Sequence, residues 1–461
     1  MVGSLTIGKE NDMGSARDYL LDLIAGPAPY DQPAAAVEAL QVEAARELFA
    51  LRKTEIMVLR RRAEEAGIAE VRDRHDLVPL LFAHTVYKSY PQSFIDRGRW
   101  DHMLAWLQTV SARKVTDTDV SGVANVDEWI ERLEAAGHHI LATSGTTGKC
   151  SFLPHAPGDF DRKLRHWSVT LGWPRLVARQ DRIYFSLGPS SGPNSAIEAA
   201  QISARLWAPP DKRFFLTDEP LRISEISAAA ALRSRMVEGT ATPGEVAAFE
   251  DAVRAKGQRM EAATRAMAER ILAHRHEPIV LAGLWAQHMT IIELAKTLGI
   301  PDGDFHPDSY ISAGGGIKGV TLPPDYKERV NRFYGDVGRG GFYGMTELAQ
   351  SMPRCEAGHY HPPPALIVLV LDQAGETLLT RDDAVDGVIE GRAAFLDLAF
   401  DGRWGGLISG DKIQLDYNLC PCGRHGVTIL DTITRYAQPG EADHIGCAGT
   451  IDAYIRGAIA A

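Results

Sequence analysis

Apolar positions with helical spacing dominate the beginning of the chain. Between Ala34 and Gly67, the residues Ala, Leu and Val recur with helical period among Glu and Arg, and Gly67 is a stop signal for a helix. The segments PLLFAHTVYKSYP and RWDHMLAWLQTV, within residues 77–110, are rich in aromatic side chains and indicate further packed helices. We therefore predict a helical N-terminal region over residues 1–110.

Strand-like and helix-like patterns alternate in the middle of the chain. RIYFSLGPSSGP and RFFLTDEP each predict a strand followed by a turn, and PIVLAGLWAQHMTIIELAKTLGI predicts a buried strand, a turn and an amphipathic helix. Residues 223–274 predict a pair of helices, the second of which begins at Thr242-Pro243. This alternation is typical of a parallel sheet covered by helices, so we predict an α/β core over residues 111–352.

Shorter strands without long helices follow the predicted core. The pattern from ALIVLVLD to LISGDKIQLD predicts a small antiparallel, β-rich lobe over residues 353–435, followed by a short tail over residues 436–461. Glycine-rich turns close the strands YISAGGG and GGFYGMTE, and we expect a further turn at SGD, residues 409–411. Ligands of such sheets collect beyond the carboxyl ends of the strands, where these turns are expected.

Composition narrows the class of protein. With 461 residues the chain is longer than a single hydrophobic core usually supports, so we expect one large composite domain or several lobes. A content of 45% apolar and 24% charged residues is ordinary for a globular protein. The net charge of −11 argues against a partner nucleic acid, and no apolar run reaches the roughly 20 residues of a membrane span. The start of the chain lacks a signal-peptide pattern, so we expect a cytoplasmic protein. Five cysteines, an odd number, favour metal or thiol chemistry over a disulfide framework.

Residues 140–154, ILATSGTTGKCSFLP, contain a candidate phosphate-binding loop. The familiar phosphate loop has four residues between its first glycine and the Gly-Lys pair, whereas only Thr146 and Thr147 separate Gly145 from Gly148. A strand-like run follows Lys149 instead of a helix, so the sequence predicts a hairpin. Hydroxyl groups, peptide N–H groups and one ammonium in this hairpin are donors suited to a polyphosphate.

Four motifs occur in an order and spacing that resemble the adenylate-forming superfamily of acyl-CoA ligases, luciferases and synthetase adenylation domains. They are TSGTTGK at 143–149, SAGGG at 312–316, FYGMTE at 342–347 and SGD at 409–411, and the resemblance spans roughly residues 80–435. It implies an α/β fold with a large adenylate-forming N-terminal domain, a helical cap and a small β-rich lobe. The implied reaction activates a fatty or aryl carboxylic acid with ATP as acyl-AMP and then transfers the acyl group to a thiol.

The resemblance also implies roles for individual residues. The implied nucleotide-binding residues are Thr143, Ser144, Gly145, Thr146, Thr147, Gly148, Gly314, Gly315, Gly316, Tyr343, Gly344, Thr346 and Asp411. Glu347 would hold Mg²⁺ and Asp411 the ribose hydroxyls, while Trp285, Tyr343 and Met345 would line the acyl pocket. Many relatives continue the first loop with Pro and Lys, where this chain has Cys150 and Ser151.

Elementary electrostatics supports these assignments. A carboxylate that attacks the α-phosphate must overcome mutual negative charge, so the site needs a divalent cation and positively charged donors. Glu347 could hold the former, and Lys149 or Arg435 could meet the phosphate charge. The simpler alternatives are a solvated helix-start carboxylate for Glu347 and an ordinary turn residue for Asp411.

Three cysteines and one histidine form a candidate zinc site. Cys355-EAGHY-His361, followed by Cys420-Pro-Cys422, resembles the phenylacetate-CoA ligase branch, in which comparable residues hold a structural zinc ion. Three thiolates and one imidazole match a closed tetrahedral site. His359 is an alternative to His361, and idle buried cysteines are the alternative to metal binding.

The segments AHTVYKSYP, GMTELAQSM and CAGTIDAYI resemble the acyl-protein synthetases of bacterial bioluminescence. This resemblance implies that Cys447 accepts the acyl group; the alternative is a buried small residue in a terminal helix. Only 26 residues follow Arg435, so we expect a truncated or absent C-terminal domain. Coenzyme A, a carrier or a reductase partner remain alternative acceptors. The rival functions are an acyl- or aryl-CoA ligase and a noncatalytic nucleotide- or acyl-binding subunit of a reductase complex.

Overall fold

The structure is a computed structural model, and it describes residues 14–143, 149–314, 321–437 and 445. Its α-helices, in chain order α1 to α12, are Ala16–Asp22, Ala34–Glu55, Met57–Ala66, Gln92–Asp96, Trp100–Gln108, Val126–Ala135, Pro157–Thr170, Ser195–Trp207, Ile223–Val237, Pro243–Ala273, Trp285–Thr297 and Tyr326–Tyr334. Its strands, β1 to β16, are Phe82–Ala83, His139–Ala142, Phe152–His155, Ile183–Pro189, Arg213–Thr217, Ile279–Leu284, Tyr310–Gly314, Gly338–Gly340, Phe342–Tyr343, Met352–Pro353, Leu366–Leu371, Leu378–Leu379, Val388–Asp397, Gly406–Asp416, Thr428–Ile429 and Thr434–Arg435. The predicted α/β class is confirmed.

The helical start of the chain follows its apolar period. Helices α2 and α3 bury Leu48, Phe49 and Leu59, and α3 ends at Gly67 as predicted. Gly67 has a φ of 67°, a left-handed conformation that glycine adopts without steric cost. This conformation directs its N–H to the last carbonyl groups of the helix.

A five-stranded parallel sheet, in the order β5-β4-β6-β7-β8, forms the centre of the α/β part. Strands β4, β6 and β7 bury apolar side chains against α10, α11 and α12 in one core. The turn predicted between β6 and α11 is wrong, because the strand ends at Leu284 and the helix begins at Trp285. The side chain of Gln287 accepts the Leu284 N–H at 2.8 Å, so the helix is capped without a connecting turn.

The second large sheet has seven strands, with β11, β13 and β14 antiparallel at its centre. The turn predicted at SGD is wrong, because residues 409–411 lie within β14. In the pairing of β13 with β14, Arg392 faces Lys412 and Ala394 faces Ile408. Only Ala393 therefore lies opposite residues 409–411, and the pairing of the two strands accommodates them as a bulge. Bulges commonly re-aim side chains near functional sites.

The N-terminal region contributes directly to this second sheet. The helix predicted for PLLFAHTVYKSYP is wrong, because Phe82–Ala83 form strand β1, which pairs with β14 in parallel, with Phe82 opposite Leu407. Phe49, Ile367 and Leu396 belong to one buried cluster, so the N-terminal helices and one face of the sheet share a core. The division at residues 110, 352 and 435 stays a prediction. Within the described ranges, no helix has the length and apolar character needed to cross a membrane.

Candidate active site

The glycine-rich motifs SAGGG and FYGMTE are neighbours at the carboxyl edge of the parallel sheet. Strand β7 ends at Gly314, and its Ser312 pairs with Gly340 of β8. Strand β9, which contains Tyr343, begins two residues after Gly340. The two motifs therefore lie side by side where ligands of parallel sheets bind. The other two predicted glycines of SAGGG, Gly315 and Gly316, lie outside the described residues.

The base of the hydroxyl-rich hairpin is joined to the FYGMTE segment. Strands β2 and β3 form the predicted antiparallel hairpin, and Thr143 Oγ1 accepts the Ser151 N–H at 3.1 Å. The Asn194 side chain donates to the Ala142 carbonyl at 3.3 Å, and the next residue, Ser195, hydrogen bonds Thr346 between hydroxyl oxygens 2.7 Å apart. Thr143 and Thr346 are thus linked through one loop. The predicted donors Ser144, Gly145, Thr146, Thr147 and Gly148 lie outside the described residues.

Tyr343, Asp411 and Arg435 form a hydrogen-bonded group. The Tyr343 hydroxyl donates to Asp411 Oδ2 at 2.9 Å, and Arg435 Nε lies 3.3 Å from Asp411 Oδ1. Burial and the adjacent Asp411 carboxylate raise the pKa of Tyr343, so this hydroxyl remains a donor. The bulge in β14 places the carboxylate of Asp411 beside β9. Two predicted nucleotide-binding residues from distant segments are therefore in direct contact.

Glu347 lies within electrostatic reach of two positive charges and of the Asp411 carboxylate. Its side chain is half-buried, and burial raises the pKa of its carboxyl while the charges of Arg403 and Lys88 partly oppose that rise. Arg403, which is fully buried, donates from Nη2 to the Glu347 carbonyl at 3.0 Å and from Nη1 to His155 Nε2 at 2.9 Å. Arg403 therefore fixes the backbone of Glu347 to strand β3.

The other predicted residues of the FYGMTE segment have packing roles that the structure defines. A Cβ atom added at Gly344 would lie 2.8 Å from Ser351 Oγ, so close approach of the backbone requires glycine there. Met345 packs against the same buried cluster as Tyr343. A role of Met345 in the acyl pocket stays a prediction.

Trp285 begins α11 at the carboxyl end of β6. Its ring meets that of Tyr326 edge-on, with centroids 5.4 Å apart, and it is partly buried against the core of the parallel sheet. The preceding residue, Leu284, is 52% exposed at the same edge. A role of Trp285 in the acyl pocket stays a prediction.

Lys149 follows the hydroxyl-rich loop, as predicted, and its ammonium lies 4.5 Å from the centroid of the Tyr90 ring. This distance is typical of a cation–π contact. Sequence reasoning assigned no role to Ser195, Arg403 or Lys88, although Lys88 lies in the quoted segment AHTVYKSYP. A lone lysine or arginine in a sequence gives no sign of which distant carboxylate it will meet.

An ionic network, buried at Lys163 and Glu198, anchors the open end of the β2–β3 hairpin. The His139 ring lies 3.0 Å from Glu198 Oε1, and the buried Lys163 donates to Glu198 Oε2 at 2.6 Å. Burial lowers the pKa of His139, but its hydrogen bonds to Glu134 and Glu198 together with the charge of Glu198 outweigh this effect and raise it to about 9. The network ties the hairpin to α7 and α8.

The predicted zinc ligands converge in the small lobe. The four ligand atoms of Cys355, His361, Cys420 and Cys422 all lie within 4.8 Å of one another. Cys355 Sγ is 3.8 Å from Cys420 Sγ, and Cys422 Sγ is 3.6 Å from His361 Nε2. A tetrahedral zinc ion with bonds of about 2.3 Å to sulfur and 2.0 Å to nitrogen separates two sulfurs by about 3.8 Å and sulfur from nitrogen by about 3.5 Å. The donor set and its spacing therefore fit zinc.

The alternative ligand His359 points to another partner. Its Nδ1 lies 3.1 Å from Thr428 Oγ1, whereas His361 is 2% exposed within the cysteine cluster. Burial lowers the pKa of His361 to about 4, which keeps the imidazole in the neutral form that a metal requires. Cys150 is buried elsewhere, and Cys447 lies outside the described residues.

Comparisons with known proteins identify the fold. No family model matches the chain, and no curated protein matches it. Among solved structures, 2-hydroxyisobutyryl-CoA ligase in an open conformation with 2-HIB-AMP and CoA matches with a TM-score of 0.56 and 14% identity, covering 89% of this chain and 72% of the ligase. The same ligase in its thioesterification state, again with 2-HIB-AMP and CoA, gives a TM-score of 0.57, 14% identity and coverages of 89% and 70%. Its postadenylation state with R3-HIB-AMP gives a TM-score of 0.54 and 13% identity, and the match covers 88% of this chain and 68% of the ligase.

These matches show that the chain has the fold of an adenylate-forming acyl-CoA ligase. At 13–14% identity the likeness concerns the fold alone. The fold implied by the four motifs is thereby confirmed. The expected truncation of a C-terminal domain stays a prediction.

Proposed function

We propose that the protein activates a carboxylic acid with ATP as acyl-AMP and then transfers the acyl group to a thiol. The observation that carries the proposal is the direct contact between Tyr343 and Asp411, at 2.9 Å, beside Glu347 and the base of the hydroxyl-rich hairpin. These residues come from separate motifs, and their contacts bring polar groups together near the carboxyl edge of the parallel sheet. The adenylate-forming fold of the chain supports the same reaction.

Each polar group has a chemical part in this proposal. Asp411, oriented by Tyr343 and Arg435, would accept hydrogen bonds from the ribose hydroxyls. Thr143 and the hydroxyl-rich loop would donate to the phosphates. A magnesium ion held by Glu347 would neutralise charge on the phosphate oxygens as the carboxylate of the acid attacks the α-phosphorus.

The acyl acceptor is proposed to be a thiol. The ligase whose fold is similar was solved with CoA as well as an acyl adenylate, which supports CoA or a CoA-like carrier arm as acceptor. Cys447 of the chain itself is the other candidate. A Cys447→Ala variant that still forms acyl-CoA from acid, ATP and CoA would exclude Cys447 as an obligatory acceptor.

Exchange of labelled pyrophosphate into ATP tests the adenylation step. We expect exchange that depends on one class among fatty, aryl and hydroxy acids, and we expect Glu347→Gln to reduce it by about 100-fold. The matched control is Glu293→Gln, because Glu293 is an exposed carboxylate on α11 that pairs only with Lys296 among the described residues. If no acid supports exchange, or if the two variants behave alike, the proposal is wrong.

We also propose that Cys355, His361, Cys420 and Cys422 hold a structural zinc ion. The cluster joins the segment after FYGMTE to the loop that follows β14, so bound metal would hold these two segments together. All four positions of the tetrahedron would be filled by protein, which leaves none for substrate.

Metal analysis of protein purified without added zinc tests this site. We expect about one zinc ion per chain in the wild type, and loss of that ion together with a lower melting temperature in Cys420→Ser. Cys150→Ser is the matched control, because Cys150 is also buried but lies outside the cluster. Zinc retained by Cys420→Ser, or absent from the wild type even after zinc is supplied, contradicts the assignment.

A further inference from the structure

The segment of residues 84–90 runs from β14 to the base of the hydroxyl-rich hairpin. It leaves β1 beside β14, where Ala83 pairs with Ile408, three residues before Asp411. At its other end the Tyr90 hydroxyl donates to the Cys150 carbonyl at 2.8 Å, immediately after the hydroxyl-rich loop. The segment therefore connects the two polar ends of the candidate nucleotide site.

Buried neighbours fix the backbone of this segment. Residues Val86–Lys88 form one 3-10 turn, in which Tyr87 is buried and donates to the Trp404 carbonyl at 3.2 Å. The guanidinium of Arg403 lies 5.5 Å from the centroid of the Tyr87 ring and hydrogen bonds the Glu347 carbonyl. Lys88 therefore follows a buried tyrosine that packs against Arg403, the donor to the Glu347 carbonyl.

Lys88 is half-buried and forms no salt bridge with another described residue. Its charge opposes part of the rise that burial causes in the pKa of the Glu347 carboxyl. A cation that gives up part of its hydration without an ion pair raises the free energy of the folded protein. A bound anion would recover that free energy.

A polyphosphate bound at the candidate site needs positively charged partners. Lys149 is followed by Cys150 and Ser151, which add no positive charge, and the Lys149 ammonium lies over the Tyr90 ring. We propose that Lys88 donates to the phosphate oxygens of ATP and stabilises the negative charge that develops on the α-phosphate during adenylation. This assignment rests on the proposed function and adds to it a catalytic cation from the N-terminal region.

A purely structural role for Lys88 makes a different prediction. If Lys88 only balances the charge of Glu347, its removal leaves an uncompensated carboxylate, which changes folding stability and the magnesium dependence but not the affinity for ATP. If Lys88 binds phosphate, its removal weakens ATP binding directly. The two roles therefore separate in the kinetic constants for ATP.

The experiment compares Lys88→Met, Lys88→Arg and the wild type in acid-dependent pyrophosphate exchange at saturating magnesium. We expect Lys88→Met to raise the KM for ATP about 10-fold and to lower kcat/KM about 100-fold, with the KM for the acid unchanged. Lys88→Arg should restore at least part of this loss, because it keeps the charge. Lys114→Met is the control, since Lys114 is an exposed lysine paired with Asp117. If Lys88→Met does not fold, Lys88→Gln replaces it.

The outcomes distinguish this inference from the proposed function. Exchange by the wild type with unchanged ATP constants in Lys88→Met overturns the role of Lys88 alone. If the wild type catalyses no exchange with any acid, the proposed reaction is wrong, and equilibrium binding of ATP and magnesium then decides the role of Lys88. Weaker binding by Lys88→Met supports the phosphate contact, whereas equal binding, or none by the wild type, overturns it.

Discussion

Replacement of Arg403 by methionine tests how strongly the stability of the fold around Glu347 depends on one buried charge. Arg403 is fully buried and donates to the Glu347 carbonyl at 3.0 Å, to His155 Nε2 at 2.9 Å and to the Pro154 carbonyl at 3.4 Å. Methionine fills a similar volume but leaves these acceptors without their donor. It also removes the positive charge that offsets the carboxylates of Glu347 and Asp159.

The expected loss of folding stability follows from these contacts. Hydrogen bonds to a charged group contribute about 1.5–3 kcal/mol each, and breaking a buried ionic group by removing one partner costs about 3–5 kcal/mol in total. The bond to Pro154 is long, so we expect the lower part of this range, about 3–4 kcal/mol, for Arg403→Met. Arg403→Lys keeps the charge but lacks the planar fork that reaches two acceptors, so its loss should be intermediate.

Urea unfolding followed by tryptophan fluorescence measures this loss, because Trp404 is adjacent in sequence and fully buried. The control is Arg354→Met, since Arg354 is 42% exposed and forms a surface ion pair with Asp431. Such a pair contributes at most about 1 kcal/mol. If Arg403→Met lowers the unfolding free energy by no more than the control does, the described role of Arg403 is refuted.

The remaining predictions concern His139 in the β2–β3 hairpin and Tyr343, which contacts the proposed ribose-binding residue Asp411. His139→Gln should lower the free energy of unfolding by about 1 kcal/mol near pH 6, after allowance for the 38% exposure of the His139 side chain. This difference should vanish as the pH rises through about 9, because a raised pKa stabilises the folded state only while the imidazole is protonated. Urea unfolding at several pH values measures the difference, and a difference that grows toward alkaline pH contradicts the prediction. Tyr343→Phe should raise the KM for ATP roughly 5- to 10-fold, as expected for one hydrogen bond that orients Asp411; an unchanged KM for ATP in pyrophosphate exchange contradicts that contact.

Local patterns predicted the secondary structure well where periodicity was long. Helices α2 and α3, the stop at Gly67 and the capped start of α10 at Thr242 each follow from residues within one or two turns of the chain. The bulge at 409–411 could not be predicted in this way, because it depends on the register between β13 and β14, two strands that the local sequence does not pair.

Long-range contacts limited the prediction of the site in the same manner. The motifs identified Tyr343 and Asp411, but their direct contact joins residues that are 68 positions apart. Arg403 lies in DGRWGG, which resembles an exposed turn, and only its packing against Tyr87, His155 and Glu347 reveals a buried charge. The cluster of Cys355, His361, Cys420 and Cys422 was predicted from a family resemblance and because metal chemistry restricts both residue type and number.

Transfer of an isotopic label from the acid to AMP tests the central claim most directly. When an acid labelled with oxygen-18 in its carboxylate attacks the α-phosphorus, one labelled oxygen becomes the bridge of acyl-AMP, and attack of a thiol on the carbonyl carbon leaves that oxygen on AMP. We therefore expect pyrophosphate to be released in the first step, and we expect mass spectrometry to find one labelled oxygen in the AMP that is released in the second step. Label recovered in inorganic phosphate together with ADP would show an acyl phosphate route and contradict adenylation.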